Sequence, residues 1–448
     1  MTGPSRWRLT IASAGTLALS ATIALSGLTA AAAAAAEPDN GPERTLHTVN
    51  LSTVEAAAAG DTATKQSVAA PASESCTTPS ADLRRQPTYY VGCFSLRAAT
   101  PSDFAARAKA SAAAGAGARA AAYTVWCDGA GPQLWWYTRT EVCIYGQIGV
   151  YTFWLEPTHE IVGTATYFLS HDINTNPGPS ADIQENAFVE QIAGTKIGIT
   201  TDVSFTAKCT GRCITYDGDG FSGKMTVGNY QEALFSYTDN PVVGTPDAFR
   251  LQYTLTVVPP SGGSTNQPIR YEFPTDIRCD QPAAANARAG CVVPLYQPTL
   301  ELPLAQYGAG AANIAIAQNY FPDGWGLTTP LSREASRPVQ DSNRQAICED
   351  GTFVYDPAIP ADSCDEFAFA ASKQSGAAFG LTGIDCAEVT PVFEDGQWFA
   401  TIWTDNFTER CVRGHVPLPE NSAVGGELGR FTQSERLLDN DKYLVAIV

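Results

Sequence analysis

Twelve cysteines constrain this chain more than any other feature, because they fall in six close pairs along the sequence. An even number of cysteines is typical of a disulfide framework when a chain is exported to an oxidising compartment. The spacing predicts six local bridges, namely Cys76–Cys93, Cys127–Cys143, Cys209–Cys213, Cys279–Cys291, Cys348–Cys364 and Cys386–Cys411. A zinc site of cysteine and histidine is disfavoured, because the chain has no CxxC pair and only four histidines.

Residues 1–36 have the organisation of a secretory signal peptide. Two arginines form a short positive region, an apolar stretch follows from Leu9, and an alanine run ends at Ala36. We place cleavage after Ala36, because small residues precede that position. The alternative is an uncleaved membrane anchor, but the alanine run fits a cleavage region better than a stop-transfer segment. The sequence therefore predicts a secreted, extracellular protein, without a membrane span in the mature chain.

The net charge of −18 bears on the possible partners. Strong negative charge favours solubility and opposes a purely electrostatic grip on nucleic acid, whose binding modules are usually basic. A mature chain of roughly 410 residues is long enough for two or three domains.

The composition divides the mature chain into five segments. Residues 37–75 are rich in alanine and small polar residues without an apolar period, which predicts a disordered tether. Residues 76–122 form an alanine-rich connecting segment, with a helix expected over Pro101–Ala122. Residues 123–300 contain short runs rich in β-branched and aromatic residues between turn residues, which predicts an antiparallel β-sandwich as an accessory domain. The expected strands are Ile148–Leu155, Ile161–Leu169, Ile197–Ala207, Phe221–Val227, Ala233–Tyr237, Phe249–Val258 and Ile269–Phe273.

The remaining chain has mixed periodicity. Residues 301–340 are expected to be a helical connector, since Leu302–Tyr320 has helical spacing. Residues 341–448 combine aromatic strands, helical patches and four cysteines, which predicts a small α+β domain. The predicted fold class is therefore α+β multidomain, with the β-sandwich first and the α+β domain last.

The familiar catalytic motifs GxSxG, P-loop, HExxH and CxxCH are absent from the sequence, which leaves carboxylates and metal as candidate chemistry. The densest acidic candidate is Asp365–Glu366, directly after Cys364. Neighbouring side chains of a strand point to opposite faces, so one carboxylate can face a cleft while the other supports it.

A second candidate is the stretch His415–Ser422, HVPLPENS. Its two prolines favour extended backbone, and Asn421 followed by Ser422 can cap a helix over Ala423–Ser434. The simpler interpretation is only a capped surface helix.

Three stretches of the C-terminal part occur in a fixed order: CDEFAFA at 364–370, VPLPENSAVGG at 416–426 and RLLDNDKYLV at 436–445. They resemble the CDEYPFA-like, VPxSENSxQGG-like and RVLDGDxFYV-like motifs of secreted deoxyribonucleases of the NucA/NucB type. The resemblance covers about residues 341–448, and the preceding β region is similar to the N-terminal part of longer actinobacterial members.

The resemblance implies a ββα-metal nuclease, that is, a metal-dependent and largely sequence-nonspecific endodeoxyribonuclease with DNA as substrate and Mg²⁺ or Mn²⁺ as cofactor. One such ion can stabilise charge on the phosphoryl oxygens and on the leaving oxygen. The resemblance assigns Asp365 as the base, Glu366 as a second acidic partner, and Asn421 as a metal ligand that Glu420 assists. His415 is expected to contact phosphate.

The charge of this region conflicts with DNA binding. Residues 333–442 contain 9 basic and 19 acidic residues, a net charge of −10. DNA is repelled unless a divalent ion screens the acidic cleft or a local basic strip exists. Arg410, Arg413, Arg430 and Arg436 are the expected strip.

The chain departs from the family pattern at Ala368, Gln374, Ser375, Val424 and Asn440. Gln374 stands where a glutamate commonly follows the first motif, and Val424 where glutamine is common. These departures support an alternative, a catalytically impaired extracellular binding protein that keeps the nuclease fold. A third interpretation is a cell-wall or glycan-binding sandwich with a structural tail.

Overall fold

Most of the chain forms antiparallel strands in which every second side chain is apolar and buried. The computed structural model describes residues 45–51, 65–69, 73–76, 78–114, 126–127, 134–175, 180–218, 220–260, 268–283, 288–404 and 406–448. The expected signal peptide, 1–36, lies outside these residues. In the strand Leu251–Val258, buried and partly exposed residues alternate without exception, as expected when one face of a sheet covers the core.

The elements of the first part are, in chain order, β1 (Thr45–Asn50), β2 (Gln66–Ala69), β3 (Ser73–Cys76), β4 (Tyr89–Ala98), α1 (Pro101–Ala113), β5 (Leu134–Tyr137), β6 (Glu141–Glu156), β7 (Glu160–Asn174), β8 (Asp182–Lys196), β9 (Thr200–Cys209), β10 (Ile214–Asp217), β11 (Phe221–Thr226), β12 (Tyr230–Thr238), β13 (Asp247–Phe249), β14 (Leu251–Val258), β15 (Ile269–Glu272), β16 (Ile277–Asp280) and β17 (Gly290–Val292). A nine-stranded sheet has the order β10-β12-β8-β7-β6-β4-β3, with β5 beside β6 and β2 beside β5. A four-stranded sheet has the order β11-β9-β14-β15, and β13-β16-β17 form a third.

The nine-stranded and four-stranded sheets share one hydrophobic core, which includes Trp135, Phe205 and Tyr253. Each of the seven runs expected to be strands overlaps an observed strand, so the prediction of a β-rich region is confirmed. The reason is that apolar and polar residues alternate within these runs, which suits a sheet with one buried face.

The expected connecting segment, 76–122, is in part a structural element of this region. Its residues Tyr89–Ala98 form β4, which pairs with β6 inside the nine-stranded sheet. The expected helix Pro101–Ala122 is observed as α1, Pro101–Ala113, while 115–122 lie outside the described residues. Alanine-rich composition concealed the strand, because β4 comprises only 10 residues of the segment.

The elements of the second part are β18 (Thr299–Leu302), α2 (Leu304–Tyr320), β19 (Leu331–Ser332), α3 (Arg337–Cys348), β20 (Asp362–Phe367), β21 (Ala387–Glu394), β22 (Gln397–Thr404), β23 (Val412–Pro417), α4 (Leu418–Ser434) and β24 (Lys442–Ile447). A five-stranded sheet has the order β1-β22-β21-β23-β20, and a small sheet has the order β18-β24-β19. The chain is thus mixed α+β and mostly β, with several sheets.

Helix α2 is the central helix of the second part and not a connector as the sequence predicted. Ala311, Ile314 and Ile316 are buried in one core with Ile402 and Val445. Residues 309–317 of α2 are alanine, glycine and isoleucine apart from Asn313, and a helix that is apolar around most of its surface belongs inside a domain.

The segment expected to be a disordered tether, 37–75, contributes a strand to the second part. In β1, Thr45 pairs with Thr404 and Asn50 pairs with Phe399, at the edge of the five-stranded sheet. The backbone hydrogen bonds to β22 hold this strand in place, although its composition has no apolar pattern. The expectation of disorder is therefore wrong for Thr45–Asn50.

All six predicted disulfides are confirmed. Within the described ranges, no helix is both long and apolar enough to cross a bilayer. Ion pairs also join the β region to the second part: Asp441 accepts hydrogen bonds from Arg139 at 3.0 Å and from Arg278 at 2.8 Å. Arg436 pairs with Asp280 at 2.6 Å.

Candidate active site

Strands β20 and β23 and helix α4 form one strand–strand–helix unit. β20 pairs antiparallel with β23, and Pro417 at the end of β23 leads directly into α4 at Leu418. The helix therefore begins five residues before the expected Ala423, because proline is tolerated in a first turn. Asn421 lies inside this first turn and not at a cap.

A cleft of about 390 Å³ opens between β20, α3 and α4. The residues that line it are Arg344, Cys348, Glu349, Tyr355, Ser363, Cys364, Asp365, Glu366, Phe369, Ala370, Ala371, Leu418, Asn421, Ser422, Val424, Gly425 and Leu428. The disulfide Cys348–Cys364 ties the end of α3 to β20 at the wall of this cleft. Asp365, Glu366 and Asn421, which sequence reasoning placed at one site, thus share one cleft although more than fifty residues separate them.

Glu366 is a buried carboxylate that accepts no hydrogen bond of normal geometry, although the Ala370 backbone N–H acts on it and lowers its pKa. It is 8% exposed, and neither carboxylate oxygen accepts a hydrogen bond of normal geometry from any described residue. Burial raises the pKa of Glu366 to about 8, an effect that the Arg344 guanidinium opposes and the Asp365 carboxylate reinforces. An unpaired carboxylate at this depth is costly to the fold, so its environment is more suitable for binding a cation or a proton.

Asp365 has one side-chain partner, Asn313 of α2. The Asn313 amide donates to the Asp365 carboxylate at 3.2 Å and to the Asp365 backbone oxygen at 3.1 Å. Burial raises the pKa of Asp365 to about 7, and the Asn313 hydrogen bond lowers it by less. Gly414 lies opposite Asp365 on β23, and a Cβ there would come within 2.5 Å of the Asn313 side chain. The absence of a side chain at Gly414 is therefore what lets Asn313 reach the carboxylate.

Sequence reasoning missed Asn313. The available signal was its position, because it is a polar residue in the middle of the apolar run AANIAIA and is fully buried. A buried amide inside an apolar helix needs a polar partner, and here that partner is Asp365 in the cleft.

Asn421 is oriented by two bonds from its amide nitrogen. It donates to Ser363 Oγ at 3.1 Å and to the Cys364 backbone oxygen at 3.0 Å. These bonds identify the other atom as the carbonyl oxygen, Oδ1, to which no described residue donates. Oδ1 is thus available as a neutral oxygen ligand in the cleft.

Glu420 does not join the site, contrary to the expectation that it assists a metal ligand. Its carboxylate accepts the N–H of Ala309, next to Gly308, where α2 kinks at φ 51°. Successive helical residues point about 100° apart, so Glu420 faces α2 while Asn421 faces β20.

His415 also lies outside the cleft. Its Nδ1 is 2.7 Å from Asp362 and its Nε2 is 3.0 Å from Glu388, and its ring stacks on Phe353. Burial alone would lower the pKa of His415, but the hydrogen bonds to Glu388 and Asp362 outweigh it and raise the pKa. Both ring nitrogens are thus engaged, and the histidine is a structural link between three strands.

Two of the four expected substrate-binding arginines are held elsewhere in the domain. Arg410 pairs with Asp323 at 2.9 Å. Arg413 is 3% exposed and bonds to Glu388 at 2.7 Å and to Thr352. Neither lines the cleft, so neither is placed to contact a substrate there.

The other two expected arginines are also paired. Arg430 pairs with Glu427 on the exposed side of α4. Arg436 is bonded to Asp280 of the β region. The predicted strip therefore does not form at the cleft, and the arginine that lines it is Arg344, which sequence reasoning missed.

Two of the departures from the family pattern, Gln374 and Val424, differ in their position relative to the cleft. Gln374 lies outside the cleft and accepts the N–H of Ser332 at 2.7 Å, which is a structural role. Val424 lines the cleft and is 2% exposed. Of these two departures only Val424 borders the cleft, and its side chain is packed in the core beside Gly310 of α2.

The described residues contain no group of three or more His, Cys, Asp or Glu side chains arranged to hold a metal ion. The cleft instead offers two carboxylates and one amide oxygen. Mg²⁺ is commonly bound by only one or two carboxylates together with water and substrate phosphate. The donor set therefore fits a hard divalent ion that is bound together with its substrate.

No family model matches the chain, and no curated protein matches it either. The chemistry of the cleft is therefore the basis for assigning a function.

Proposed function

We propose that this protein is a secreted, metal-dependent nuclease that hydrolyses phosphodiester bonds of DNA. The single observation that carries the proposal is the cleft in which Glu366, buried and without a hydrogen bond of normal geometry, lies with Asp365 and the open oxygen of Asn421. The six disulfides support the extracellular location, because such bridges persist in oxidising compartments.

Glu366 and the Oδ1 atom of Asn421 are the residues that would hold the ion. Both supply the hard oxygen atoms that Mg²⁺ and Mn²⁺ prefer. When bound, such an ion supplies charge neutralisation at the phosphoryl oxygens and at the leaving oxygen. The strand–strand–helix order of β20, β23 and α4 supports assignment to the ββα-metal class.

Asp365 is the proposed general base. A carboxyl group with a pKa near 7 can accept the proton of an attacking water at neutral pH, and it can return that proton afterwards. Asn313 fixes the orientation of the carboxylate through its hydrogen bond. The apolar walls, including Val424 and Leu428, limit the water that reaches the reacting atoms.

The test is cleavage of plasmid DNA by the purified mature chain with Mg²⁺ or Mn²⁺, and again with EDTA. We expect metal-dependent nicking. Asp365→Asn is expected to lower the rate by about 10²–10⁴-fold, the usual contribution of a general base, and Asn421→Ala is expected to abolish the response to metal. The exposed Glu394→Gln is the control for loss of one carboxylate. Intact plasmid under every metal condition would refute the proposal.

One observation favours the alternative of a binding protein without turnover, namely the apolar Val424 in the cleft. In that case DNA binds without cleavage, and Val424→Gln restores nicking. Metal-dependent cleavage by the unaltered chain would exclude it.

A further inference from the structure

A groove continues from the cleft along the space between α3 and α4. It has a volume of about 330 Å³ and shares Arg344, Ala371, Gly425 and Leu428 with the cleft. Any chain-like molecule that reaches the acidic pair along these helices must therefore pass through the groove.

The charge of the groove is opposite to that of its surroundings. Three arginines line it, Arg333, Arg337 and Arg344, and the described lining contains no carboxylate residue. In a region with a net charge of −10 from 9 basic and 19 acidic residues, such a concentration of positive charge favours a polyanion at this place.

Two of these arginines are available to a ligand. Arg337 and Arg344 are exposed. Arg344 has an ion pair with Asp341 at 3.5 Å, in which both side chains are about half exposed, so the pair contributes little. Arg333 is more committed to the fold, since its guanidinium donates to the Leu437 backbone oxygen.

The spacing along α3 matches a nucleic acid strand. Arg337 and Arg344 are seven residues apart, which is two helical turns and about 10 Å along the axis. A strand advances about 3.4 Å per nucleotide along a duplex, so the two arginines span about three nucleotides.

The opposite wall, on α4, leaves room for such a strand. Gly425 and Gly429 present backbone there, and a Cβ added at either position meets no described heavy atom within 4 Å. Gly426 lies between them in sequence but lines neither the groove nor the cleft.

We propose that this arginine groove holds the phosphodiester backbone of the substrate beside the scissile bond. The inference rests on the proposed nuclease function and deepens it, because it makes a polynucleotide the substrate and a small phosphodiester a poor one. Arg337 and Arg344 contact phosphates about three nucleotides apart, on one side of the acidic pair, and thereby offset the negative charge of the domain.

The test compares a short oligonucleotide with bis(p-nitrophenyl) phosphate, which is too small to enter the groove and the cleft together. The variants of the full mature chain are Arg337→Gln, Gly429→Glu, Gly429→Lys and the control Gly426→Glu. The control adds the same charge to the same helix outside the groove. DNA binding is measured in parallel, in EDTA and on an Asp365→Asn background, over about 50–200 mM salt.

We expect Gly429→Glu and Arg337→Gln each to lower kcat/KM for the oligonucleotide relative to the small diester by about tenfold. Arg337→Gln should also reduce the slope of log Kd against log salt by about one. Gly429→Lys should tighten DNA binding, an outcome that a misfolded protein cannot give. Gly426→Glu should behave as the parent chain.

Equal effects of Gly426→Glu and Gly429→Glu would overturn the proposal, since bulk charge would then explain both, and so would the lack of any effect. The two proposals can fail separately. If the parent chain cleaves neither substrate but Gly429→Glu still weakens DNA binding, the groove stands and the nuclease falls. If cleavage is normal in all groove variants, the nuclease stands and the groove falls.

Discussion

Glu185 in the β region and Glu366 in the second part are both almost fully buried carboxylates, yet their surroundings are opposite. Glu185 accepts a hydrogen bond from Tyr237 and lies 2.6 Å from His171, whose other nitrogen meets Tyr271. Glu366 accepts no side-chain hydrogen bond among the described residues, and the groups that favour its charged form are only the Arg344 guanidinium and the Ala370 backbone N–H. The desolvation cost of a buried carboxylate is offset when hydrogen-bond partners surround it. Without such partners, the same carboxylate lowers the free energy of unfolding. The contrast distinguishes a structural acid from a candidate functional one without reference to any relative.

The largest expected difference between the two acids is in catalysis. Glu366→Gln keeps the shape of the side chain and removes its charge, so DNA cleavage should fall by about 10²–10³-fold, the scale of losing one electrostatic group. Glu185→Gln should leave the rate per folded molecule unchanged. Cleavage rates, normalised to the folded fraction, check this. Comparable losses in both variants would remove the distinction.

The free energy of unfolding should depend more on Glu185 than on Glu366, the reverse of the expected effects on catalysis. Glu185→Ala leaves His171 and Tyr237 buried without their partner, and we expect the free energy of unfolding to fall by about 3–5 kcal/mol. Glu366→Gln relieves an unpaired carboxylate and should not lower it. Urea unfolding in EDTA measures both. A destabilised Glu366→Gln would show that Glu366 has a structural partner after all.

The pH dependence of stability should come from the cleft. The pKa of Asp365 is raised from 3.8 to about 7, and that of Glu366 from 4.5 to about 8. Because the folded state favours their neutral forms, this contribution is complete below pH 3.8 and is lost as pH rises towards 8.

We expect a loss of several kcal/mol across that range in metal-free protein, because each pKa unit corresponds to about 1.4 kcal/mol. The double variant Asp365→Asn, Glu366→Gln should flatten the profile, and saturating Mg²⁺ should reduce the fall, since it favours the ionised forms. Thermal unfolding at a series of pH values is the measurement. A profile that the double variant leaves unchanged would place the titrating groups elsewhere.

The smallest expected effect concerns Asn313 as a positioning residue. Its hydrogen bond lowers the pKa of Asp365, so Asn313→Ala should slow cleavage by about tenfold and move the acidic limb of the pH–rate profile to higher pH. Gln318→Ala is the matched control, because Gln318 is a buried amide of the same helix that donates to the Val445 backbone oxygen. A merely structural role would slow both variants without moving the profile.

Local patterns in the sequence were sufficient where the structure is local. The six disulfides followed from spacing, and the strands of the β region followed from alternation. The acidic pair and Asn421 were candidates from the residues themselves, and the family resemblance placed them at one site, a long-range pairing that composition does not contain. Strand β8 was missed because Glu185 and Glu190 interrupt its apolar run, and their buried partners lie elsewhere in the chain.

The predicted arginine strip was wrong for a related reason. A sequence shows a positive charge but not its partner, and Arg413, Arg430 and Arg436 are each paired with a carboxylate. His415 was likewise attributed to the site from its nearness to Asn421 along the chain. Side chains on adjoining elements can face different directions, and only the fold determines which of them meet.

Strand β1 has a practical consequence for anyone producing this protein. Judged by composition alone, residues 37–75 look dispensable, and the whole segment would be removed to obtain a shorter protein for expression. Thr45–Asn50, however, covers the outer edge of β22. A shortened chain that starts after residue 51 would leave the backbone N–H and C=O groups at the outer edge of β22 without partners. Strands of other copies of the chain could pair with this exposed edge, and the protein would aggregate.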